Sequence, residues 1–307
     1  MSLKNQRIVD PVLTTLARGY SNAELIAQEL FPVVFLPKSA AKIPVFGKEA
    51  FKIYNTERAL RAKSNRISPE DLTSIDVSYT EHDLEYPVDV SEEEESILSK
   101  QKHGTGVVTS AIALRLEKMA ADLASNPANY ASSNKSALTT TGCWDHASSH
   151  PIVAIDNAKE AIRSKIGKRP NVMAIGAATY VALKNHADII DRLKYSQKGI
   201  VTVEILQEIL GIKKIVVGEA VYSNDKGTVI TDIWGDVAIL AYVSQASPEL
   251  RSEYDPSYGY TCKKSGYPEV DTYPEIGGKV DIVRNTDKFK PYIVGADAGF
   301  LFTNTIQ

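Results

Sequence analysis

The apolar residues between positions 91 and 126 repeat with a helical period. Val108, Ile112, Leu116, Met119 and Leu123 follow one another at spacings of four, four, three and four, with Arg115, Lys118 and Asp122 off the stripe. This is the clearest helix in the chain, long enough to serve as a spine, and Asn126-Pro127 ends it. Ser91 with Glu94 reads as a capping box at its start, and His103-Gly104-Thr105-Gly106 as a break or bend within it. Upstream the period changes to two. Ile75, Val77 and Tyr79 alternate with Asp76, Ser78 and Thr80, which predicts a strand. Ile43, Val45, Phe51 and Ile53 have weaker strand spacing, interrupted by Gly47. Joined by a polar, turn-rich stretch, the two segments read as a long hairpin that buries little by itself.

The other segments are read in the same way. Asp10-Pro11 starts a short helical stretch, Asn22 is a fair N-cap for a turn or two reaching Leu30, and VVFL between Pro32 and Pro37 is extended. Residues 1–40 therefore form an arm that lies across something else. Residues 127–150 are small and polar and read as a loop. From 151 the pattern alternates between helix and strand. Helices are expected over DNAKEAIRSKIG, with Asp156 as cap and Gly167 as end, over AATYVALKN and over TVEILQEILG; strands over PNVMAIG, KKIVVGEAVY and the two flanks of Gly235, with a turn at Asn224 to Gly227. This gives an α/β unit over 151–258. After 258 the Tyr-rich and β-branched segments read as long returning strands, so the whole chain is α+β.

Composition limits the reading. The 307 residues are 43% hydrophobic and 24% charged, enough to bury a core and too apolar for a disordered chain. No apolar run approaches a membrane span, and the first residues show no signal-peptide core, so a cytoplasmic protein is the default expectation. The net charge of −3 argues against a protein that coats DNA with its whole surface. That balance hides an uneven layout. Lys42 to Arg66 holds seven basic residues against Glu49 and Glu57, whereas Glu70 to Glu95 holds eleven acidic residues and no Lys or Arg. Two solvated faces would explain this, and so would a charged arm that meets an oppositely charged partner.

Candidate chemistry is sparse. Asp145, His146 and His150 resemble part of a metal site but sit in a loop with no third ligand at characteristic spacing. Cys143 and Cys262 are too few and too far apart for a disulfide-built fold, and Cys143 beside Trp144 reads as an ordinary small residue. No phosphate-binding glycine motif or nucleophile elbow is present, and Gly104-Thr105-Gly106 follows a charged helix rather than a strand. The contiguous acids Glu92 to Glu95 point around a helix and form no acid/base dyad. Basic residues interleaved with Phe46, Phe51 and Tyr54 could suit single-stranded nucleic acid, but the neighbouring acids would repel phosphate. No catalytic, cofactor-binding or metal residue is assigned.

The order of arm, long charged hairpin, spine helix, α/β unit and returning strands resembles the major capsid protein fold of tailed bacteriophages, shared with encapsulins and herpesvirus capsid floors. The resemblance is carried by residues 9–66, from VDPVLTTLARGY to RAKSNR, by PNVMAIGAATYVALKNHADIIDRLKY at 170–195, and by IVVGEAVY and IWGDVAILAYV. It implies an N-terminal arm at 1–40, an extended loop at 41–87, and a peripheral domain with the spine helix at 88–150. It further implies an axial domain at 151–258 and return strands at 259–307, of which 291–307 rejoin the axial domain. The implied function is structural: a homo-oligomer of hexamers and pentamers closing an icosahedral shell around double-stranded DNA, without sequence-specific binding, cofactor or membrane. Scaffolding, portal and decoration proteins are the implied partners, and the virion is the location after assembly in a host cytoplasm. No long scaffolding region precedes the arm. Some members of the family cross-link a Lys to an Asn; Lys48, Lys52 or Lys63 could serve, and no motif selects a pair. Candidate intersubunit contacts are Lys48, Lys52, Arg58, Arg61 and Arg66 on the loop, with Glu92, Glu93, Glu94 and Glu95 on a neighbour. The rival readings are an encapsulin-like compartment shell and a cytoplasmic α/β enzyme.

Overall fold

The computed structural model describes residues 8–9, 25–36, 38, 40–44, 53–61, 63–66, 74–96, 99–194, 201–223, 229–245 and 256–307. The short helix expected after Asp10-Pro11, the Asn22 cap, Gly47, Lys48, Lys52 and the Asn224 to Gly227 turn lie outside these residues.

The spine helix runs from Lys100 to Ala124, and its start corrects the expected capping. A separate short helix, Val90–Glu95, precedes it; its cap is Asp89, whose carboxylate accepts from the Ser91 N–H at 2.8 Å, in place of the Ser91–Glu94 box. Glu93 then folds back to the second helix and accepts from the N–H groups of Lys100 at 2.6 Å and Gln101 at 3.3 Å. A carboxylate so placed satisfies orphan donors and complements the helix dipole. The helix also passes unbroken through His103 to Gly106. Gly104 serves a close approach: a Cβ there would lie 2.6 Å from the ring of Tyr86 on the adjoining strand.

Only the first half of the apolar stripe is the buried face. Val108 and Ile112 are buried, but further along it is Glu117, Ala120, Ala121 and Ala124 that turn inward, while Leu116, Met119 and Leu123 are half-buried. The alanines let the helix backbone approach a core of Leu30, Phe31, Trp234 and Tyr258, which larger side chains would hold off.

Two sheets pack on this helix. The first has strands in the order 135–137, 299–303, 238–241, 172–176 and 214–218. Its three central strands are buried on both faces, which explains their unbroken apolar runs. Ala174, Ile239 and Leu301 face the spine-helix core. Met173, Ile175, Leu240 and Phe302 face a second core, formed with helices Pro151–Ile166, Ala177–Asn185, Ala187–Lys194 and Val203–Leu210. Four details depart from expectation. Pro151 rather than Asp156 opens its helix, and Asp156 pairs instead with Lys159 at 2.6 Å. Helix Ala187–Lys194 is additional. Residues 127–150 contain three single-turn 3-10 helices and the strand Lys135–Ala137. Cys143 and Trp144 in that segment are buried rather than exposed in a loop.

The second sheet is organised by one long strand, Val280–Ile293. Strand Thr80–Asp89 pairs along one side of it, and strands Glu269–Pro274 and Gly259–Lys264 share the other. The arm closes both ends of this sheet: Ile8–Val9 pairs with Asp271–Thr272, and Val33–Leu36 pairs in parallel with Gly259–Lys264. Strands Ala40–Pro44 and Ser74–Ser78 form a separate two-stranded ladder, the root of the expected hairpin. As the alternation predicts, Val77 is buried there while Asp76 and Ser78 are exposed.

One side chain ties arm, spine helix and first sheet together. Glu117 is 1% exposed. Its carboxylate accepts from the N–H groups of Ile26 at 2.9 Å and Ala27 at 2.8 Å, and from the Trp234 indole at 2.6 Å. Gly218 makes room for that indole: a Cβ there would lie 2.2 Å from the ring. Burial pushes the Glu117 carboxyl above its ordinary range, and the three donors oppose that shift without cancelling it. Glu117→Ala leaves three buried donors without a partner and is expected to lower stability by about 2–4 kcal/mol, read by urea denaturation. Glu117→Gln retains the volume but turns an N–H₂ toward a donor, and should cost about 1–2 kcal/mol. Because the folded form holds the proton more tightly than the unfolded one, the ionisable group favours the folded state most below the ordinary carboxylate range. The advantage of the wild type over Glu117→Gln should therefore shrink as pH rises from that range up through the raised value of the folded state.

Candidate subunit interface

The loop between the two hairpin strands is shaped by its own hydrogen bonds. The Asn65 amide donates to the carbonyl oxygens of Asn55 at 2.8 Å and Glu57 at 3.0 Å, and the Asn55 side chain accepts from the Glu57 N–H at 3.0 Å. This clasp closes the neck of the segment 56–64. Arg61 sits in the left-handed region with φ 67°, where the chain reverses. Beyond the neck the side chains point outward. Leu60 is 90% exposed there and Ile53, just before the neck, 97%; Arg58, Arg61 and Lys63 within the segment and Arg66 just after it are exposed as well. The result is a pre-shaped basic prong with apolar points, a combination that gains from covering by a second surface.

The acidic block divides in two. On strand Thr80–Asp89 the acids are answered within the subunit. Glu81 pairs with Lys288, Arg284 lies 3.8 Å from Glu85, and Tyr273 donates to Glu85 at 2.5 Å. That bond pushes the Tyr273 phenol up to about 12. Arg284 also holds the buried Asp271 across the ladder through two bonds, at 3.1 and 2.6 Å. On helix Val90–Glu95 the situation differs. Glu93 is occupied with the start of the spine helix, which spacing alone did not reveal, whereas Glu92, Glu94 and Glu95 are exposed. Among the described residues, no ion pair is made by Arg61, Arg66, Glu92, Glu94 or Glu95. The fold therefore does not bring the loop arginines to the acidic helix within one chain.

The candidate chemical groups have other occupations. Asp188 N–H donates to Nδ1 of His186 at 3.2 Å, so the proton lies on Nε2, which donates to Ser149 Oγ at 3.0 Å. An imidazole in that tautomer does not activate the serine as a base would. His146 accepts from the Ser148 N–H, His150 pairs with Asp188 at 3.0 Å, and Asp145 accepts from the Gln307 N–H. The three members of the sequence cluster thus turn to three different partners. The groove beside them is lined by apolar Ala178, Val181 and Ile306 together with Asp145, Asn185 and His186. Among the described residues no group of three or more His, Cys, Asp and Glu could hold a metal, and no helix is long and apolar enough to cross a membrane.

The chain is 54% identical to the major capsid protein of Burkholderia phage BcepMu over 302 residues, spanning 98% of each. Among solved structures it resembles a phage-related protein from Bordetella bronchiseptica RB50, with 32% identity, a TM-score of 0.82 and coverage of 97% of this chain and 98% of that one. An encapsulin from Synechococcus elongatus shares the fold at 11% identity, with a TM-score of 0.51 and coverage of 98% and 97%. No family profile matches the chain.

Asn65→Ala should open the loop clasp without touching a core. Trypsin cleavage after Arg58, Arg61 and Lys63 is expected to accelerate several-fold, with the thermal midpoint moving by less than about 2 °C.

Proposed function

The chain belongs to the bacteriophage major capsid protein family, and from that premise we propose that its copies form hexamers and pentamers that close an icosahedral shell around double-stranded DNA. The observation that carries this reading is the 54% identity over nearly the whole length of both chains. Residues 1–40 act as the N-terminal arm and 41–87 as the extended loop over a neighbouring subunit. Residues 88–150 with most of 259–290 form the peripheral domain, and 151–258 with 291–307 the axial domain. The arm's pairing to both ends of the second sheet and the exposed, pre-shaped loop are consistent with these roles.

Within the shell, Arg58, Arg61 and Arg66 of one copy meet Glu92, Glu94 and Glu95 of another. Glu93, already spent inside its own subunit, leaves the contact set. Covering Ile53 and Leu60 contributes about 1.5–3 kcal/mol each, more than the ion pairs, which are worth about 0–1 kcal/mol apiece at an exposed site. The charges choose the partner and register, and the apolar points supply most of the hold. Packaged DNA is enclosed without sequence-specific contacts, in keeping with a subunit of net charge −3.

Purified native particles should contain nuclease-protected DNA. A shell holding a cargo protein and no DNA would favour the compartment reading instead. Replacing Arg58, Arg61 and Arg66 together by Glu should reduce closed shells at least about tenfold by electron microscopy, with the circular dichroism of the subunit unchanged. Shells in wild-type yield would overturn the proposed contact.

A further inference from the structure

We infer that Tyr292 is the positioning residue that sets the direction in which the extended loop leaves its subunit; this rests on the reading of that loop as an intersubunit contact. The loop's return strand belongs to two ladders in succession. From Asp89 to Thr80 it pairs with the long strand, ending at Thr80 opposite Phe289. At Tyr79 it leaves, and Ser78 to Ser74 pair instead with Ala40–Pro44. Beyond Phe289 the long strand continues against Gly259–Lys264. The root ladder of the loop and the second sheet therefore part at a junction where no ladder is common to both.

The phenol of Tyr292 spans that junction. Its oxygen accepts from the Ser78 N–H at 3.1 Å and donates to the Ser78 carbonyl at 2.8 Å, with Ser78 Oγ 3.4 Å away. Both main-chain polar groups of one residue are held by a single atom, so the Ser78 backbone cannot rotate or slide without breaking a bond. A hydroxyl is required, because it both donates and accepts. The ring is itself held. It stands opposite Tyr260 in the ladder, packs against the small core of Val34, Leu36, Ile43 and Val77, and carries the Lys290 ammonium 5.3 Å from its centroid.

The root ladder multiplies any error at this joint. Five residues of strand extend about 17 Å, so a turn of about 10° moves the far end by about 3 Å. That exceeds the tolerance of a hydrogen bond or an ion pair. The prong beyond it moves further, and with it the register between neighbouring copies. Tyr292 thereby acts on assembly through Ser78.

Tyr292→Phe retains the ring and removes the oxygen. In the unassembled full-length subunit, amide exchange at Ser78, followed by mass spectrometry over 74–80, should accelerate on the order of tenfold, the factor carried by one hydrogen bond. The thermal midpoint should move by less than about 2 °C. Assembled particles should lose the single diameter of the wild type and give mixed diameters or open sheets by electron microscopy. Ser78→Ala removes only the long side-chain contact and should assemble as wild type. Wild-type exchange in Tyr292→Phe, or faster exchange with an unchanged diameter distribution, would overturn the inference, as would a Ser78→Ala variant that reproduces the defect. If the wild-type chain itself formed no shells, the shell reading would fail, and the exchange measurement would still decide whether Tyr292 governs the joint.

Discussion

A buried carboxylate on the spine helix holds three separate parts of the subunit in register. Glu117 receives two consecutive backbone N–H groups of the arm and one indole N–H from the first sheet, partners 91, 90 and 117 residues away in sequence. The side chain is 1% exposed, and those three donors offset the cost of burying its charge. Neighbouring choices follow from this contact. Ala120, Ala121 and Ala124 bring the helix close, and Gly218 leaves space for Trp234. Just beyond the contact, Val33–Leu36 joins the second sheet beside Gly259–Lys264.

The long strand Val280–Ile293 plays the matching role on the other side. Its odd and even positions serve different masters. Asn285 faces the spine helix and bonds Thr109, while Arg284 and Lys288 answer the acids on Thr80–Asp89. Half of the acidic block is thus consumed in folding. Glu92, Glu94 and Glu95, on helix Val90–Glu95, stay at the surface, and Arg61 and Arg66 of the loop make no ion pair among the described residues. A subunit that spends some charges internally and displays others in opposed blocks can tile with its own copies without general repulsion, which is how a net charge of −3 suits a shell protein.

The candidate chemical groups of the sequence are engaged in structural contacts. Ser149, His186, His150, Asp145 and His146 are close in sequence or space, yet each is drawn into turns, caps or terminal contacts. These bonds fix the chain around the carboxyl end of the first sheet.

Much of the architecture was legible because it depends on local period and punctuation. The buried strand before Ala177, the helix ending at Gly167 in the left-handed conformation, the helix closed by Gly211 and the alternation at Ile75 to Tyr79 all follow from residues within a turn or two of each other. The charge asymmetry and the resemblance of the chain order to capsid proteins were equally readable. Tertiary structure decided what neighbours far apart in sequence impose. It rotated the buried face of the spine helix from Leu116, Met119 and Leu123 to Glu117 and the alanines. It carried the helix unbroken through Gly104, where Tyr86 fills the place of a side chain, and turned Glu93 from the surface to a cap. It also gave Ser78 to Tyr292, 214 residues away. Periodicity records which side of an element is apolar, but a buried polar group is stable only where its partners are, and those partners are brought together only when the chain has folded.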